Sequence, residues 1–235
     1  RNEQLVQSEK LASLGTLTSG VAHELNNPLN NISTSVQILL EELNEEDIEF
    51  KRELLEETEK QIERARDIVK ALLEFSRKGA FNPKPTQLKQ LMDRTLQMLK
   101  GDLPSNVDLE MRIPEHIRAE LDGRRIQQVL INLIQNGLQA MADGGTLQIT
   151  ADQPEGEDHF CFRISDTGIG IEKDVLSKIF DPFFSTKTDG NGSGLGLSIS
   201  HGIIEQHKGH IQVESRPGEG TTFTVCLPNR LTSKI

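Results

Sequence analysis

A polar cluster near the start of the sequence could carry nucleophilic chemistry. It holds His23, Glu24 and Asn27, and their spacings of three and four residues place His23 and Asn27, and Glu24 and Asn27, together on a helix surface. A neutral imidazole is a competent nucleophile toward phosphorus, and an adjacent carboxylate can accept its proton. The cluster could instead be a capping or hinge motif around Pro28, which would leave His23 as an ordinary surface histidine.

Two further groups could hold a charged ligand. Asn132 and Asn136 lie four residues apart on one side of an otherwise apolar helix, and an amide oxygen can bind Mg²⁺ alongside phosphate and water. They could equally be a pair of helix-surface amides. Asp166 ends a predicted strand, where its carboxylate can accept a hydrogen bond from an exocyclic amine. Gly168 and Gly170 follow it and allow close backbone approach, although an ordinary turn would look the same.

A glycine-rich stretch, residues 190–197, precedes another predicted helix. Free backbone amides at the start of a helix bind phosphate. The P-loop pattern ending in Gly-Lys-Ser/Thr is absent, and so are the signatures of serine/threonine kinases.

Long helices must position the first cluster. Residues 1 to about 77 carry almost no glycine or proline, and their apolar positions recur at three and four residues. The polar break at Leu43–Asp47 predicts two antiparallel helices joined as a hairpin. Because such a hairpin cannot enclose a core, we expect it to dimerise into a four-helix bundle. Residues 77–85 have the composition of a linker.

The remaining chain alternates short strands with helices, which predicts a two-layer α/β sandwich and an α+β class for the whole chain. We predict domains at residues 1–80 and 81–235. The predicted helices cover residues 87–100, 124–141, 173–180 and 195–206, and the predicted strands cover residues 107–113, 118–121, 146–151, 159–165, 210–215 and 221–227.

Composition excludes several classes of function. The 235 residues contain 26 Lys and Arg against 36 Asp and Glu, a formal charge of −10. This acidic balance disfavours duplex nucleic acid and anionic membranes as partners, and no run of 18 apolar residues could span a bilayer. Cys161 and Cys226 match no metal-binding spacing, so we predict two reduced thiols in a cytoplasmic protein. The first residues have the pattern of a helix interior, which predicts a fragment of a longer protein.

Taken in order, five stretches resemble the sequence boxes of the sensor histidine kinases of two-component systems, and most closely their nitrogen-regulator-like branch. The resemblance covers nearly the whole chain. His23–Pro28 resembles the phosphoacceptor H box, Asn132–Asn136 the N box, Asp166–Gly170 the first glycine box, Phe180–Phe184 the F box and Gly192–Leu197 the second glycine box.

The resemblance implies a fold and an activity. The hairpin would be the dimerisation and histidine-phosphotransfer domain, and the second domain a GHKL-type ATP-binding module with the Bergerat fold. His23 would take the γ-phosphoryl group of ATP, with Glu24 as general base. The phosphoryl group would then pass to an aspartate on the receiver domain of a response regulator. Glu24 and Asn27 would also support phosphatase action on that regulator.

The resemblance also implies the nucleotide site. Asn136 would hold Mg²⁺ with Asn132 nearby, and Asp166 would bind the adenine amino group. The other residues expected around the nucleotide are Gly168, Gly170, Lys187, Gly192, Gly194, Leu195 and Gly196. One departure is that many members carry Lys or Arg just after the second asparagine of the N box, where Gly137 stands here.

Three alternatives remain at the level of sequence. A gyrase-like or chaperone-like ATPase needs a water-activating glutamate four residues before the Mg²⁺-binding asparagine, and Asn132 occupies that position. A dimeric scaffold with a degenerate nucleotide site would keep the fold without the chemistry. A protein whose main output is phosphatase activity would use the same residues as the kinase.

Overall fold

The computed structural model describes residues 25–43, 47–76, 81–186 and 194–231, with the backbone alone for residues 67 and 70–76. The chain divides into two units, residues 1–77 with 183–195 and residues 78–182 with 196–235. His23, Glu24, Lys187 and Gly192 lie outside the described residues.

The first unit is helical, as predicted. Helix α1 covers residues 25–41 and helix α2 covers Ile48–Ser76. Asp47 caps α2, because its Oδ1 accepts a hydrogen bond of 2.9 Å from the backbone N–H of Phe50. Neither these helices nor the other described helices are long and apolar enough to cross a membrane.

Many large apolar side chains of α1 and α2 remain exposed. On α2 four of the five recur every seven residues, which places them along one face. These four are Ile48, Leu55, Ile62 and Val69, exposed by 70, 58, 44 and 43%. Within the described chain, this face is therefore an apolar seam without a covering element.

The second unit contains a mixed five-stranded sheet. Its strands are β2 (Val107–Arg112), β4 (Gly145–Asp152), β5 (His159–Asp166), β6 (His210–Arg216) and β7 (Gly220–Pro228). They lie in the order β2-β4-β5-β7-β6, with β2 parallel to β4 and the other neighbours antiparallel. A separate antiparallel ribbon joins β1 (Lys84–Gln87) to β3 (Arg118–Leu121).

Helices cover one face of the sheet, as the predicted two-layer sandwich requires. They are α3 (Leu88–Met98), α4 (Gly123–Ala140), a short α5 (Lys173–Leu176) and α6 (Gly196–Gln206). On β5 the even-numbered residues are buried and the odd-numbered ones are half-buried, so only one face meets the core. α4 buries Ile126, Val129, Leu130, Leu133 and Ile134 into that core.

Two local predictions need correction. Part of the predicted linker, Lys84 to Pro85, belongs to β1. Proline is tolerated there because β1 pairs on one side only, with β3. The predicted helix 173–180 is helical only over Lys173–Leu176.

The prediction of two reduced thiols is also wrong for this structure, in which Cys161 and Cys226 form a disulfide. The two residues face each other directly in the β5–β7 register, with Cα atoms 4.1 Å apart. Their separation of 65 residues gave no sign of this pairing, because the register of two distant strands is a property of the fold.

Candidate functional site

Asn132 joins the middle of α4 to the start of α6. Its Nδ2 donates to the Gly196 carbonyl oxygen over 3.0 Å and contacts Ser200 Oγ at 3.2 Å. Ser200 Oγ donates to the same Gly196 carbonyl over 2.8 Å. Asn132 therefore acts as a clamp between the N box and the second glycine box, which the sequence placed 64 residues apart.

Asn136 lies one turn further along α4 on the same side. Its side chain is half-buried, and no hydrogen bond joins it to another described residue. The next residue, Gly137, brings α4 against the end of β5, since a Cβ at Gly137 would lie 3.7 Å from Asp166 Oδ2. The backbone next to Asn136 thus lies close to the Asp166 carboxylate.

Asp166 is the last residue of β5 and is 8% exposed. Its Oδ1 accepts from the backbone N–H of Gly168 over 2.9 Å and from that of Thr221 over 3.3 Å. Burial raises the pKa of Asp166 above its usual value, and these backbone hydrogen bonds act in the opposite direction. The carboxylate is therefore held in a fixed orientation while it retains acceptor capacity for a ligand.

Two turns interlock beside Asp166. Gly170 has a φ of +70°, and a Cβ there would lie 2.0 Å from the Arg216 carbonyl oxygen. Gly220 has a φ of +96°, and its Cβ would lie 2.0 Å from the Asp166 carbonyl oxygen. Gly218 N–H donates to the Ile169 carbonyl over 2.8 Å. Only residues without a side chain allow the two turns to approach so closely.

Gly168 serves a similar approach to α4. A Cβ at Gly168 would lie 2.4 Å from the carbonyl oxygen of Ala140, which also accepts 3.0 Å from Ile169 N–H. The glycines of the first glycine box were expected to allow close backbone approach. In the described structure the groups that approach them are backbone atoms of the protein itself.

Within the first unit, Phe183 of the F box contacts Gly194 of the second glycine box. Phe183 has a φ of 68°, and its backbone N–H donates to the Gly194 carbonyl over 3.0 Å. Gly194 itself has a φ of +64°, and a Cβ there would lie 2.3 Å from the Phe183 carbonyl carbon. Leu195 is buried, at 7% exposure.

Asn27 is the described member of the predicted phosphotransfer cluster. It lies on α1, half-buried, and is followed by the buried Pro28 and by Leu29, which is 52% exposed. The partners expected from the sequence, His23 and Glu24, lie outside the described residues.

A depression of about 420 Å³ adjoins Asp166. Its other walls come from α5, from β6 and β7 and from the turn that joins these strands, and they include Leu176, Ser215 and Thr221. Neither Asn132 nor Asn136 lines it. It therefore lies on one side of the carboxylate, and the two asparagines bound a different surface.

Sequence reasoning missed three residues that shape this region. Gly137 was noted only as a departure from the family pattern, although it sets the approach of α4 to Asp166. Thr221 and Ser215 were assigned to strands, yet Thr221 supports the carboxylate and Ser215 Oγ accepts from Ile171 N–H over 2.8 Å. The Gly-Glu-Gly-Thr sequence at 218–221 was a detectable turn signal, but its contact with Asp166 spans 55 residues.

Two family models match the chain. The model described as "His Kinase A (phospho-acceptor) domain" matches residues 13–81. The model described as "Histidine kinase-, DNA gyrase B-, and HSP90-like ATPase" matches residues 121–231.

Similar proteins agree with these matches. The chain is 36% identical over 245 residues to the sensor histidine kinase ZraS of Escherichia coli, covering 100% of this chain and 50% of that protein. The chain spans half or less of the first curated relatives it matches, between 26 and 50% of their length.

Two solved structures extend the comparison. The catalytic domain of histidine kinase ThkA matches with a TM-score of 0.58 and 34% identity, over 63% of this chain and 97% of that one. Histidine kinase ThkA in complex with response regulator protein TrrA matches with a TM-score of 0.77 and 31% identity, over 94% of this chain and 64% of that one. The paired family models, together with these likenesses and the clamp between the N box and the second glycine box, place the chain in the sensor histidine kinase family, with a phosphoacceptor region followed by a GHKL-type ATPase region.

Proposed function

We propose that this chain is the catalytic core of an ATP-dependent protein-histidine kinase that phosphorylates its own His23. Residues 1–80 would serve dimerisation and phosphotransfer, and residues 81–235 would bind ATP. One observation carries the proposal: α4 brings Asn132 to the start of α6 and Gly137, the residue after Asn136, against Asp166 within the ATPase-type fold.

The described residues fit a nucleotide with Mg²⁺. The buried Asp166 carboxylate is oriented by two backbone donors, and it would accept the amino group of adenine. The Asn136 amide has no hydrogen-bond partner among the described residues, so its oxygen can be a ligand of Mg²⁺. Mg²⁺ would offset the phosphate charge, a need made greater by the absence of a cationic side chain at Gly137. Lys187, Gly192, Gly194, Leu195 and Gly196 complete the proposed set.

The transfer step follows from the residue types. An unprotonated ring nitrogen of His23 forms the new phosphorus–nitrogen bond as the bond from the γ-phosphorus to the bridging oxygen breaks and ADP leaves. Glu24 accepts the proton released by the imidazole. Phosphoryl transfer needs in-line positioning and charge neutralisation, so one nucleophile and one base suffice.

Asn132 supports transfer to a protein over hydrolysis. Its position is where a hydrolytic relative would need a carboxylate to activate water, and an amide is no base at neutral pH. Its Nδ2 is also engaged by Gly196 and Ser200. The protein nucleophile His23 would therefore take the role that water has in the ATPases.

The proposed partners are a second copy of the chain and a receiver domain. The uncovered apolar seam of α2 supports dimerisation, because exposed apolar rows of this length mark interfaces. The relative ThkA is described in complex with a response regulator protein. We propose that this chain passes its phosphoryl group to an aspartate of such a receiver domain in the cytoplasm, as first predicted from its sequence.

Phosphatase action on the same regulator is a second activity that we propose. Asn27 is half-buried on α1, and it follows Glu24 by three residues, a spacing that would place both side chains on one side of a helix. Its amide would position a water molecule against the phospho-aspartate.

Phosphorylation with γ-labelled ATP and Mg²⁺ tests the kinase. The wild type should incorporate label that is stable to alkali and lost in acid, as expected for phosphohistidine. His23→Gln should take up none. Asn136→Ala should lower both nucleotide binding and labelling, whereas His116→Gln, at an exposed position away from the site, should label as the wild type does.

The outcomes separate the alternatives. Nucleotide binding without label, in the dimer and with Mg²⁺ present, would contradict the kinase and favour a degenerate scaffold. Release of free phosphate without labelled protein would identify a hydrolase. Loss of label from a phosphorylated regulator that depends on Asn27, measured with Asn27→Ala, would establish the phosphatase.

A further inference from the structure

His207 is a fully buried histidine that the nucleotide site does not use directly. It follows the last residue of α6 and is 0% exposed. Its Nδ1 lies 2.8 Å from the Ile203 carbonyl oxygen, and its Nε2 accepts 3.0 Å from the backbone N–H of Asp122. Since Nε2 faces a donor and Nδ1 an acceptor, we assign the neutral tautomer with the proton on Nδ1.

Asp122 connects this ring to α4. It is the N-cap of that helix, with its Oδ1 accepting from Arg125 N–H over 3.4 Å. Its Oδ2 accepts from Asn82 N–H over 3.2 Å and lies 3.4 Å from Arg125 Nε. Arg125 also donates from Nη1 to Gln206 Oε1 at the end of α6. The Asp122 carboxylate thus links the start of α4 to Asn82, near the beginning of the second unit.

Phe81 closes the other side of the ring. Its ring meets the imidazole edge to face, with centroids 4.8 Å apart and planes at 83°. The Arg125 guanidinium lies 5.7 Å from the centroid of Phe81.

These contacts hold α6 at both ends. Its 11 residues span about 16 Å at 1.5 Å per residue. At its start, Gly196 is bonded to Asn132 in the middle of α4. At its end, His207 is bonded to Asp122 at the beginning of α4. A helix held at two points against the same neighbour can neither slide nor pivot freely, so releasing one end changes the freedom of the other.

We propose that His207 is a positioning residue for nucleotide binding, which fixes Gly196 and the start of α6 by tying the far end of that helix to Asp122. The inference rests on the proposed use of ATP. It adds a role for a residue that lies about 16 Å along α6 from the second glycine box. Neutral His207 supplies one donor and one acceptor at fixed positions, and a hydrophobic residue of the same size supplies neither.

The test compares the affinity for Mg·ADP of purified full chains by calorimetry, well below their unfolding temperatures. His207→Phe keeps an aromatic ring, somewhat larger than imidazole, and removes both hydrogen bonds, so we expect binding weaker by on the order of tenfold. His207→Gln restores one donor and one acceptor and should bind more tightly than His207→Phe. Leu91→Ala, a buried residue of α3, serves as the control for lost stability and should bind as the wild type does.

Each outcome decides the matter. Binding by His207→Phe within about twofold of wild type would overturn the positioning role, as would equal weakening in a Leu91→Ala variant of the same unfolding temperature. If His207→Phe does not fold, the comparison of His207→Gln with Leu91→Ala takes its place, with binding weakened in the former alone as the expected result. A wild type that binds no Mg·ADP contradicts the proposed function itself.

Discussion

At Asp166, burial and hydrogen bonding act against each other on one carboxylate. Burial raises its pKa, and the N–H groups of Gly168 and Thr221 favour the charged form. Both donors bind Oδ1. Backbone N–H groups from two separate segments of the chain therefore fix the orientation of the Asp166 carboxylate.

Asp166→Asn tests this acceptor. The amide oxygen can keep the bonds from Gly168 and Thr221, so the fold should persist. The loss of a charged acceptor for an amino group should weaken ADP binding by about 1.5–3 kcal/mol. Calorimetry at neutral pH measures the change, with the exposed Asp152→Asn as control. Unchanged affinity in Asp166→Asn would rule out its role at the adenine.

His207 makes stability depend on pH. Burial, assisted by the Arg125 guanidinium, lowers its pKa below 6.5, while the hydrogen bond to Ile203 and the Asp122 carboxylate oppose the shift. The unfolded chain therefore binds this proton at a higher pH than the folded chain. The stabilisation is complete above the unfolded pKa and is lost as the pH falls from there toward the lowered value.

Urea unfolding at pH 7.5 and at pH 5.5 measures this dependence. The wild type should lose more free energy of unfolding between the two values than His207→Gln does, whose side chain does not titrate. His210→Gln removes an exposed histidine and should behave as the wild type. Equal losses in all three proteins would show that His207 titrates normally in the folded chain.

At the scale of elements, two glycines have opposite requirements. Gly168 faces the Ala140 carbonyl, which a Cβ would approach to 2.4 Å. Gly202 lies inside α6 and a Cβ there would meet nothing within 4 Å. One glycine is needed for packing of the turn on α4, and the other only weakens a helix.

Alanine at each position should therefore change stability in opposite directions. Gly168→Ala should lower the free energy of unfolding by about 1–3 kcal/mol through overpacking. Gly202→Ala should raise it by up to about 1 kcal/mol through helix propensity. Denaturant unfolding of the two variants gives both values. A neutral Gly168→Ala would mean that the contact with Ala140 relaxes without cost.

The disulfide joins β5 to β7 across the sheet. It closes a loop with a sequence separation of 65, for which the chain-entropy model gives a contribution of about 4 kcal/mol. The unfolding temperature of the wild type should fall when a dithiol reductant is added. The double variant Cys161→Ala, Cys226→Ala should not respond to reductant. A wild type indifferent to reductant would indicate that the thiols are not paired in solution.

At the scale of the whole molecule, the apolar seam of α2 is an exposed surface that no described residue covers. Leu55 and Ile62 lie at its centre, exposed by 58 and 44%. We expect Leu55→Glu with Ile62→Glu to convert a dimer into monomers, because two buried charges per chain would face each other across the bundle. Sedimentation measures the mass. Met98→Glu, which changes an exposed apolar residue of α3, should leave it unaltered.

Features that depend on residues close together in the sequence could be predicted, and features that depend on contacts between distant residues could not. Helical periodicity predicted the helices of the first unit, and alternation predicted most strands, because these patterns are local. The motif order indicated Asn132, Asn136 and Asp166, and the resemblance supplied their proposed roles. The bond from Asn132 to Gly196, the pairing of Cys161 with Cys226 and the burial of His207 depend on strand register and helix packing. Two prolines hid β1, since only the tertiary partner β3 makes an extended proline a strand residue.

Glu120 of β3 contacts the first strand and the last described residues of the second unit. β1 pairs with β3 so that Pro85 lies opposite Glu120. The backbone N–H of Glu120 donates to the Asn229 carbonyl over 2.9 Å. Its side chain accepts from Leu231 N–H over 3.2 Å. Entry and exit of the polypeptide are therefore neighbours, which is the geometry that circular permutation requires. A rearranged ATP-binding unit, with residues 231 and 81 joined by a short glycine-rich linker and new ends opened in the exposed turn at 154–157, should fold and bind nucleotide as an independent module.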